Sequence, residues 1–321
     1  MIDFPTLGMG TAPIGNLYRV VSDAEARATL DAAFAAGIAY FDTAPHYGFG
    51  LAERRLGGAL AEHDPQNKAR VSTKVGRLLG ERHGFVDADP FEPHFDYGHD
   101  AVLRSFESSQ KRLRRDRIDL LLAHDIGRLT HGDAHDDHLA AFLDGGYRAM
   151  RDLRDAGAIG AIGIGVNEVA ICHELLDRVE LDAILIAGRY TLLDRGAEEL
   201  LDRCASADVR VIVGGPYNSG ILARDLSGPL HFDYAAPDAV ILARAHAMAA
   251  LCRDAGVALP AAALQFPLRH PQVMAVIPGL VGADQVHDTI ARLGASIPDT
   301  LWPALDAAAR AHPLAKAHSH A

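Results

Sequence analysis

Short apolar runs alternate with longer amphipathic segments along most of the chain. The apolar runs have strand length, whereas the segments between them repeat apolar residues with helical spacing. Candidate strands lie at residues 7–9, 39–42, 71–74, 118–122, 159–165, 183–186, 209–213 and 273–277. Candidate helices lie at residues 22–36, 51–62, 99–114, 146–156, 169–179, 196–207, 237–255 and 284–293. Because strands separated by helices pair in parallel through crossovers, this order predicts an α/β fold.

The number of strand and helix units narrows the architecture. Eight such units close a barrel with the helices outside, so we predict a (β/α)8 TIM barrel in a single domain over residues 1–321. A doubly wound sheet competes with it, but both glycine-rich segments lack the third glycine of the dinucleotide fingerprint. Pro13 stands at that position in the first segment and Glu168 in the second.

Two long segments interrupt the alternation, at residues 76–98 and 214–237. Each follows a candidate strand, at the C-terminal face where barrel enzymes carry their sites. Loops of this length in a compact domain are usually functional, so we expect both to enclose a substrate. The first helix has a clear beginning and end, with a capping box of Ser22 and Glu25 and a terminating Gly37.

Composition and charge exclude several classes of partner. The formal net charge of −11 disfavours a nucleic-acid partner, which needs clustered lysine and arginine. The three cysteines have no CxxC spacing, so neither a disulfide framework nor a zinc site is expected. No run of about 18 apolar residues suggests a membrane span, and the first residues lack a leader pattern. A cytoplasmic location is therefore expected.

Polar residues end three neighbouring candidate strands. Asp42, Lys74 and His124 each follow an apolar run, and Tyr47 lies five residues after Asp42. Taken singly, they could be a turn cap, a solvated lysine and a core histidine. Because strand ends on this face of a barrel converge on one pocket, their joint placement favours an active site.

These residues lie in three segments that resemble the signatures of the aldo-keto reductase superfamily. The segments are residues 41–48 (FDTAPHYG), 72–76 (STKVG) and 121–125 (LLAHD), and residues 51–57 (LAERRLG) resemble the helix that follows the first. The resemblance extends from about residue 7 to residue 293. It implies an NAD(P)-dependent oxidoreductase with a catalytic tetrad of Asp42, Tyr47, Lys74 and His124.

The chemistry of such a tetrad follows from elementary acid–base properties. Oxidising an alcohol requires a base for the hydroxyl proton, and a free tyrosine, with a pKa of about 10, is a poor base near neutrality. Lys74 is expected to lower the pKa of Tyr47, and Asp42 to keep Lys74 charged and placed. His124 is expected to orient the substrate oxygen. No metal is needed, and none is expected.

The resemblance also implies a cofactor site. Asn167 matches the residue that holds the nicotinamide amide, whereas Ala187 and Gly214 depart from the glutamine and the stacking aromatic residue of many members. Residues 276–285 (VIPGLVGADQ) resemble the adenosine-phosphate loop before the last helix, although an ordinary turn remains an alternative. The cofactor-binding residues implied are Asn167, Pro278, Gly279, Gly282, Gln285 and Asp288.

The cofactor preference follows from two positions in that loop. Gly279 and Gln285 stand where NADP-preferring members carry basic residues. A 2′-phosphate would lack a guanidinium partner, so NAD is favoured over NADP.

Within the superfamily, residues 10–18, 187–193 and 214–222 resemble the bacterial D-threo-aldose 1-dehydrogenases, also called L-fucose dehydrogenases, and the pyridoxal 4-dehydrogenases. The resemblance implies oxidation of the anomeric hydroxyl of an aldose to its lactone. Polar residues expected at the mouth to bind such a substrate are Tyr18, His46, Arg189 and Asn218.

Other functions remain open at this point. They are pyridoxal oxidation, general reduction of aldehydes or ketones, and a non-catalytic role as a cofactor-binding regulatory subunit. The expected partner is a small sugar or aldehyde, and the oligomeric state is not predicted. Residues 131–138 (HGDAHDDH) have the composition of a zinc site, but we interpret them as a solvated acidic loop.

Overall fold

The computed structural model describes residues 3–17, 19–79, 94–224, 226, 230–233 and 235–311. The strands are β1 (Met9–Gly10), β2 (Tyr40–Asp42), β3 (Arg70–Val75), β4 (Arg77–Leu78), β5 (His94–Phe95), β6 (Ile118–His124), β7 (Ile159–Val166), β8 (Ala183–Ala187), β9 (Arg210–Gly214) and β10 (Val273–Ile277). The helices are α1 (Asp23–Ala35), α2 (Leu51–His63), α3 (His99–Leu113), α4 (Arg128–His131), α5 (His135–Ala141), α6 (Tyr147–Asp155), α7 (Val169–Leu176), α8 (Glu198–Ser206), α9 (Ala239–Asp254), α10 (Leu259–Gln265), α11 (Ala283–Leu293) and α12 (Leu301–Arg310).

Eight of the strands form one parallel sheet in the order β1-β2-β3-β6-β7-β8-β9-β10. Parallel bridges from Leu7 to Val276 and from Gly10 to Gly279 bring the first strand against the last and close the sheet into a barrel. Every predicted strand is present, and the predicted (β/α)8 barrel is confirmed.

The core has two parts, as expected for parallel strands that are buried on both faces. Alternate strand residues such as Tyr40, Leu122 and Ile212 form one apolar cluster, against which Phe4 packs. The larger cluster joins the other strand face to the helices, through residues such as Val71 and Leu121. The barrel is therefore filled by side chains, and the site has to lie at the strand ends.

The region after β6 differs from the prediction. Residues 131–138, which we interpreted as a solvated loop, are largely helical. In this region α4, a 3₁₀ turn, α5 and a π turn over Phe142–Gly146 follow one another and lead directly into α6. His135, Leu139 and Phe142 are buried, and their spacing places them on one face of the helical segment. Exposed acidic residues lie between them, and for this reason the amphipathic spacing was not recognised in the sequence.

Two further helices and one pair of short strands were absent from the prediction. Helices α10 and α12 lie outside the eight strand and helix units, and Pro260 occupies the first turn of α10, where it costs no hydrogen bond. The long segment after β3 begins and ends in the antiparallel pair β4 and β5. The remainder of that predicted loop, residues 80–93, lies outside the described residues.

In the described part of the chain, no single helix has the length and apolar character needed to cross a membrane. The helices α9 and α10 meet these criteria only together, and they are bent by 104° relative to each other.

Helix α2 is held tightly against β3 and α3. Glu53 is fully buried, and its carboxylate accepts hydrogen bonds from Thr73 Oγ1 and from Arg112 Nε, both at 2.6 Å. One turn later, a Cβ added at Gly57 would lie 2.1 Å from the Arg112 carbonyl oxygen. This close contact sets the position of the loop before α2 relative to β3.

We predict opposite effects of alanine at the two adjacent glycines of α2. Gly57→Ala should destabilise the fold by about 1–3 kcal/mol, because the helix would have to move away from α3. Gly58→Ala should stabilise it by about 0.5–1 kcal/mol, because a Cβ there has no neighbour within 4 Å and alanine favours the helix. Free energies of unfolding in urea measure both, and equal effects would contradict this packing.

Candidate active site

Lys74 is the centre of the polar cluster at the C-terminal strand ends. It lies on β3 with 2% of its surface exposed, and its Nζ is 2.7 Å from Asp42 Oδ2. The same Nζ donates to the Thr43 carbonyl oxygen at 2.8 Å and to Tyr47 Oη at 3.1 Å. Its three N–H bonds are therefore all directed at oxygen atoms.

Asp42 is held from the side opposite Lys74 as well. Its Oδ1 accepts a hydrogen bond from Ser72 Oγ at 2.7 Å, and Ser72 Oγ is 3.0 Å from the buried Tyr40 hydroxyl. Because Asp42 ends β2 and Ser72 lies on β3 in register with it, the pairing of the two strands places this contact. The carboxylate is thus fixed before any ligand binds.

The loop between β2 and α2 places Tyr47 over Lys74. Gly48 has a φ of 61°, and a Cβ there would be 2.4 Å from the Gly15 carbonyl oxygen. Position 48 therefore requires glycine for two reasons. Other residues rarely adopt this positive φ, and a side chain would clash with the Gly15 carbonyl oxygen. The loop after β1 therefore packs on the tyrosine loop and fixes the phenol at the mouth.

The pKa of Tyr47 differs from the expectation. Burial raises this pKa above 10 and outweighs the lowering effect of the Lys74 charge. For Lys74, burial lowers the pKa, but the oxygens of Asp42 and Tyr47 raise the pKa by a larger amount. The net shift of the Lys74 pKa is therefore upward. In this site the lysine is charged and the phenol is protonated at neutral pH.

His124 is held as a neutral imidazole. Burial lowers its pKa well below the usual range, and the positive charges of Arg77 and Lys74 lower it further. Its backbone carbonyl accepts a hydrogen bond from Tyr97 Oη at 2.6 Å, and its ring lies 6.0 Å from that of Tyr47. A neutral imidazole can donate one hydrogen bond to an oxygen placed between it and the phenol.

Two charged residues beside His124 were missed in the sequence. The Asp125 carboxylate lies 3.5 Å from His124 Nε2 and pairs with Arg77 Nη2 at 2.8 Å. Asp125 directly follows His124 in the same sequence motif, so its position near the site could have been predicted from the sequence. Its ion pair was not visible, because Arg77 reaches it from the antiparallel pair β4 and β5.

The residues expected to hold a cofactor lie at two places. Asn167 follows β7, and its carbonyl oxygen accepts a hydrogen bond from Arg189 Nε at 2.8 Å. Pro278, Gly279 and Gly282 lie between β10 and α11, and Gly282 has a φ of 91°.

The loop before α11 is ordered by its own hydrogen bonds. The Gly282 N–H donates to Thr29 Oγ1, and Gln285 Oε1 accepts from the Val281 N–H. No side chain caps α11, so the donors of its first turn are available to a phosphate. Asp288 pairs with Arg292 at 3.2 Å, so this carboxylate already has a partner on its own helix.

The residues expected to bind substrate have different positions in the fold. His46 lies at the mouth, its ring 6.1 Å from that of His124, and burial lowers its pKa to about 4. Tyr18 lies outside the described residues. Arg189 and Asn218 are buried and engaged within the protein.

The contacts of those two residues are structural. Arg189 pairs with Asp233 at 2.9 Å, in addition to its bond to the Asn167 carbonyl oxygen. Asn218 accepts from Thr191 Oγ1 and donates to the Gly188 carbonyl oxygen. Both therefore tie together loops at the mouth. Nη1 of Arg189 lies 3.6 Å from Asp194 Oδ2 and makes no hydrogen bond among the described residues.

The histidine-rich segment does not assemble a metal site in the described residues, where no group of three or more potential ligands is placed to hold an ion. His131 instead lies 3.0 Å from Tyr97 Oη and packs on His138, and His135 Nδ1 contacts the Ile126 carbonyl oxygen.

We predict that Lys74 and Asp42 are strongly coupled in stability. Lys74→Met should cost about 3–5 kcal/mol, because it leaves a buried carboxylate without its counter-charge. Adding Asp42→Asn should recover part of that loss, so the double variant should be more stable than the sum of the single variants implies. Unfolding in urea measures the cycle, and additive effects would show that the pair does not interact.

Comparisons with known proteins agree with this geometry. The family model described as "Aldo/keto reductase family" matches residues 6–310. The chain is 44% identical to a pyridoxal 4-dehydrogenase of Microbacterium luteolum, over 93% of this chain and 92% of that protein. It is 39% identical to a D-threo-aldose 1-dehydrogenase of Pseudomonas sp, over 94% and 93% of the two chains.

A solved structure has the same architecture. The glycerol dehydrogenase of Gluconobacter oxydans superposes with a TM-score of 0.77 at 25% identity, covering 97% of this chain and 94% of that one. With a matching family model, dehydrogenase relatives and the barrel itself, the chain belongs to the aldo/keto reductase family and is an NAD(P)-dependent oxidoreductase.

Proposed function

We propose that this chain oxidises a cyclic hemiacetal to a lactone with NAD, and that its first candidate substrate is an aldose of the D-threo type such as L-fucose. The observation that carries the proposal is the placement of Lys74 Nζ, 2.7 Å from Asp42 Oδ2 and 3.1 Å from Tyr47 Oη. This placement couples a phenol to an ammonium group whose pKa is raised by the Asp42 and Tyr47 oxygens, beside an imidazole whose pKa is lowered by burial.

Each of the four residues of the tetrad has a separate role in this proposal. A substrate hydroxyl lies between Tyr47 Oη and His124, and its proton passes to the phenolate form of Tyr47. A nicotinamide cofactor, when bound, would accept the hydride from the carbon that carries this hydroxyl. Lys74 stabilises the phenolate, and Asp42 holds Lys74 in place. In the reverse direction, neutral Tyr47 donates the proton to a carbonyl oxygen, and His124 donates a hydrogen bond to it.

The residues fit a dinucleotide without a 2′-phosphate. Asn167 would hold the nicotinamide amide, and the loop at Pro278, Gly279 and Gly282 would receive the phosphates at the start of α11. The loop from 278 to 285 carries no basic residue and has an acidic Asp284 in the first helical turn. The 2′-phosphate of NADP would find no guanidinium partner in this loop, and the nearby Asp284 carboxylate would repel it.

A second candidate substrate is pyridoxal. The chain is 44% identical to a pyridoxal 4-dehydrogenase, against 39% for the D-threo-aldose 1-dehydrogenase. The aldehyde group of pyridoxal, like that of an aldose, lies within reach of a hydroxyl of the same molecule, and the two groups can close to a cyclic hemiacetal. The neutral His46 ring and the exposed Phe49 ring, 5.9 Å apart, offer aromatic surface to such a substrate. The ratio of kcat/KM for L-fucose and pyridoxal decides between the two.

We predict that oxidation depends on Tyr47 and increases with pH. The raised pKa keeps the phenol protonated at neutrality, so kcat/KM for oxidation should rise roughly tenfold per pH unit between about 7 and 9. Tyr47→Phe should lower it by about 10²- to 10⁴-fold and remove this slope. Tyr147→Phe, which removes a hydroxyl bonded to Glu180, should change neither. Full activity in Tyr47→Phe would refute the proposed base.

We predict a preference for NAD that a single charge can shift. The unmodified protein should have at least about tenfold higher kcat/KM with NAD than with NADP, because the loop lacks a cation. Gln285→Arg should raise the efficiency with NADP by about 10- to 100-fold, whereas Gln285→Met, which also loses the contact to Val281, should not. Better turnover of NADP than of NAD by the unmodified protein would contradict the preference.

A further inference from the structure

The ion pair of Arg77 and Asp125 lies beside the reacting centre and has no evident structural purpose. Asp125 follows the last residue of β6, and its φ of 46° breaks the alternation of side chains along the strand. The turn brings its carboxylate to the same side as the His124 ring, with Oδ2 3.5 Å from Nε2. The carboxylate thus lies beside the ring nitrogen Nε2 of His124.

The pair is largely buried and incompletely bonded. The side chains of Arg77 and Asp125 are 14% and 20% exposed, and removing two charges from water is costly unless their hydrogen bonds are satisfied. Both ion-pair contacts of the Asp125 carboxylate, to Arg77 and to His124, are made by Oδ2, and Nε of Arg77 is buried without a hydrogen-bond partner within the described parts of the chain. Aspartate can accept about four hydrogen bonds, so this carboxylate keeps acceptor capacity.

Further unpaired polar atoms collect around the same spot. Among the residues that the structure describes, Nδ1 of His46 and Nδ1 of His124 are also buried without a partner. Buried polar groups are nearly always hydrogen-bonded in folded proteins, so an unpaired group at a mouth is a sign of a ligand that completes it. A carboxylate accepts hydrogen bonds, so a ligand group that contacts Asp125 has to be a donor, such as a hydroxyl.

We infer that Asp125, held by Arg77, is a specificity-determining residue that accepts a hydrogen bond from a hydroxyl next to the reacting carbon. The inference rests on the proposed role of Tyr47 and His124 as the groups that bind the reacting oxygen. A substrate whose oxygen lies between them brings the oxygen of the adjacent carbon towards Asp125, which borders His124. The site would then select 2-hydroxy aldehydes and their hemiacetals over the 2-deoxy compounds.

The test compares two aldehydes that differ only in this hydroxyl. In reduction with NADH, the unmodified protein should prefer lactaldehyde over propanal in kcat/KM by about 10- to 100-fold, since the hydrogen bond is made to a charged group. Asp125→Asn should reduce this ratio at least tenfold, chiefly through KM for lactaldehyde. Asp133→Asn, an exposed position on the turn between α4 and α5, should leave the ratio unchanged.

A ratio near one in the unmodified protein would overturn the inference. So would an equal loss for both aldehydes in Asp125→Asn, because it would indicate a general effect on His124. If Asp125→Asn fails to bind NADH, Asp125→Glu is the variant to test. It keeps the negative charge but displaces it, and the ratio of kcat/KM for lactaldehyde over propanal should still fall.

The same measurements separate this inference from the proposed function. Preference for lactaldehyde without oxidation of L-fucose or pyridoxal would refute the hemiacetal proposal and support the role of Asp125. Oxidation of either hemiacetal without that preference would do the reverse.

Discussion

The site depends on one buried ammonium group that is shared between a carboxylate and a phenol. Lys74 has almost no contact with solvent, and a charge in that position is stable only because Asp42 and two oxygens surround it. The arrangement requires that β2 and β3 pair in one register, since a shift of one residue would turn these side chains to the other face. The proposed chemistry thus depends on the barrel, and the packing of α2 against β3 and α3 maintains this arrangement.

The electrostatic balance around this ammonium follows from burial as much as from charge. The positive groups of Lys74 and Arg77 keep His124 neutral, and burial acts in the same direction. Burial and Lys74 act in opposite directions on Tyr47, and burial prevails. At neutral pH the site therefore holds two hydrogen donors, which suits proton donation to a carbonyl oxygen. With Tyr47 as the proposed base, proton removal from an alcohol draws on its phenolate form, which the raised pKa disfavours.

Much of the fold could be predicted because each strand of a parallel barrel is a continuous apolar run with a helix after it. The residues at the strand ends were found for the same reason, since the end of a run is visible in the sequence. The helical segment after β6 was misinterpreted, because acidic residues occupy its exposed face and a histidine its buried one. Amphipathic spacing with unusual residue types is hard to recognise.

Long-range partners could not be read in the same way. Arg189 and Asn218 have the composition of a sugar site, yet their hydrogen bonds go to Asp233, Asn167, Thr191 and Gly188. The sequence contains no signal for such pairs, which span 22 to 44 residues. The pKa of Tyr47 was missed for a related reason, because desolvation is a property of the folded environment and not of the motif.

A crystal structure of the complex with NAD and a hydroxylated substrate is the most direct measurement of the central claim. The account predicts a substrate oxygen at about 2.6–3.2 Å from both Tyr47 Oη and His124, with Lys74 still bonded to Tyr47 and Asp42. A substrate oxygen bound away from Tyr47, or Lys74 and Tyr47 separated beyond hydrogen-bond reach in the complex, would contradict it.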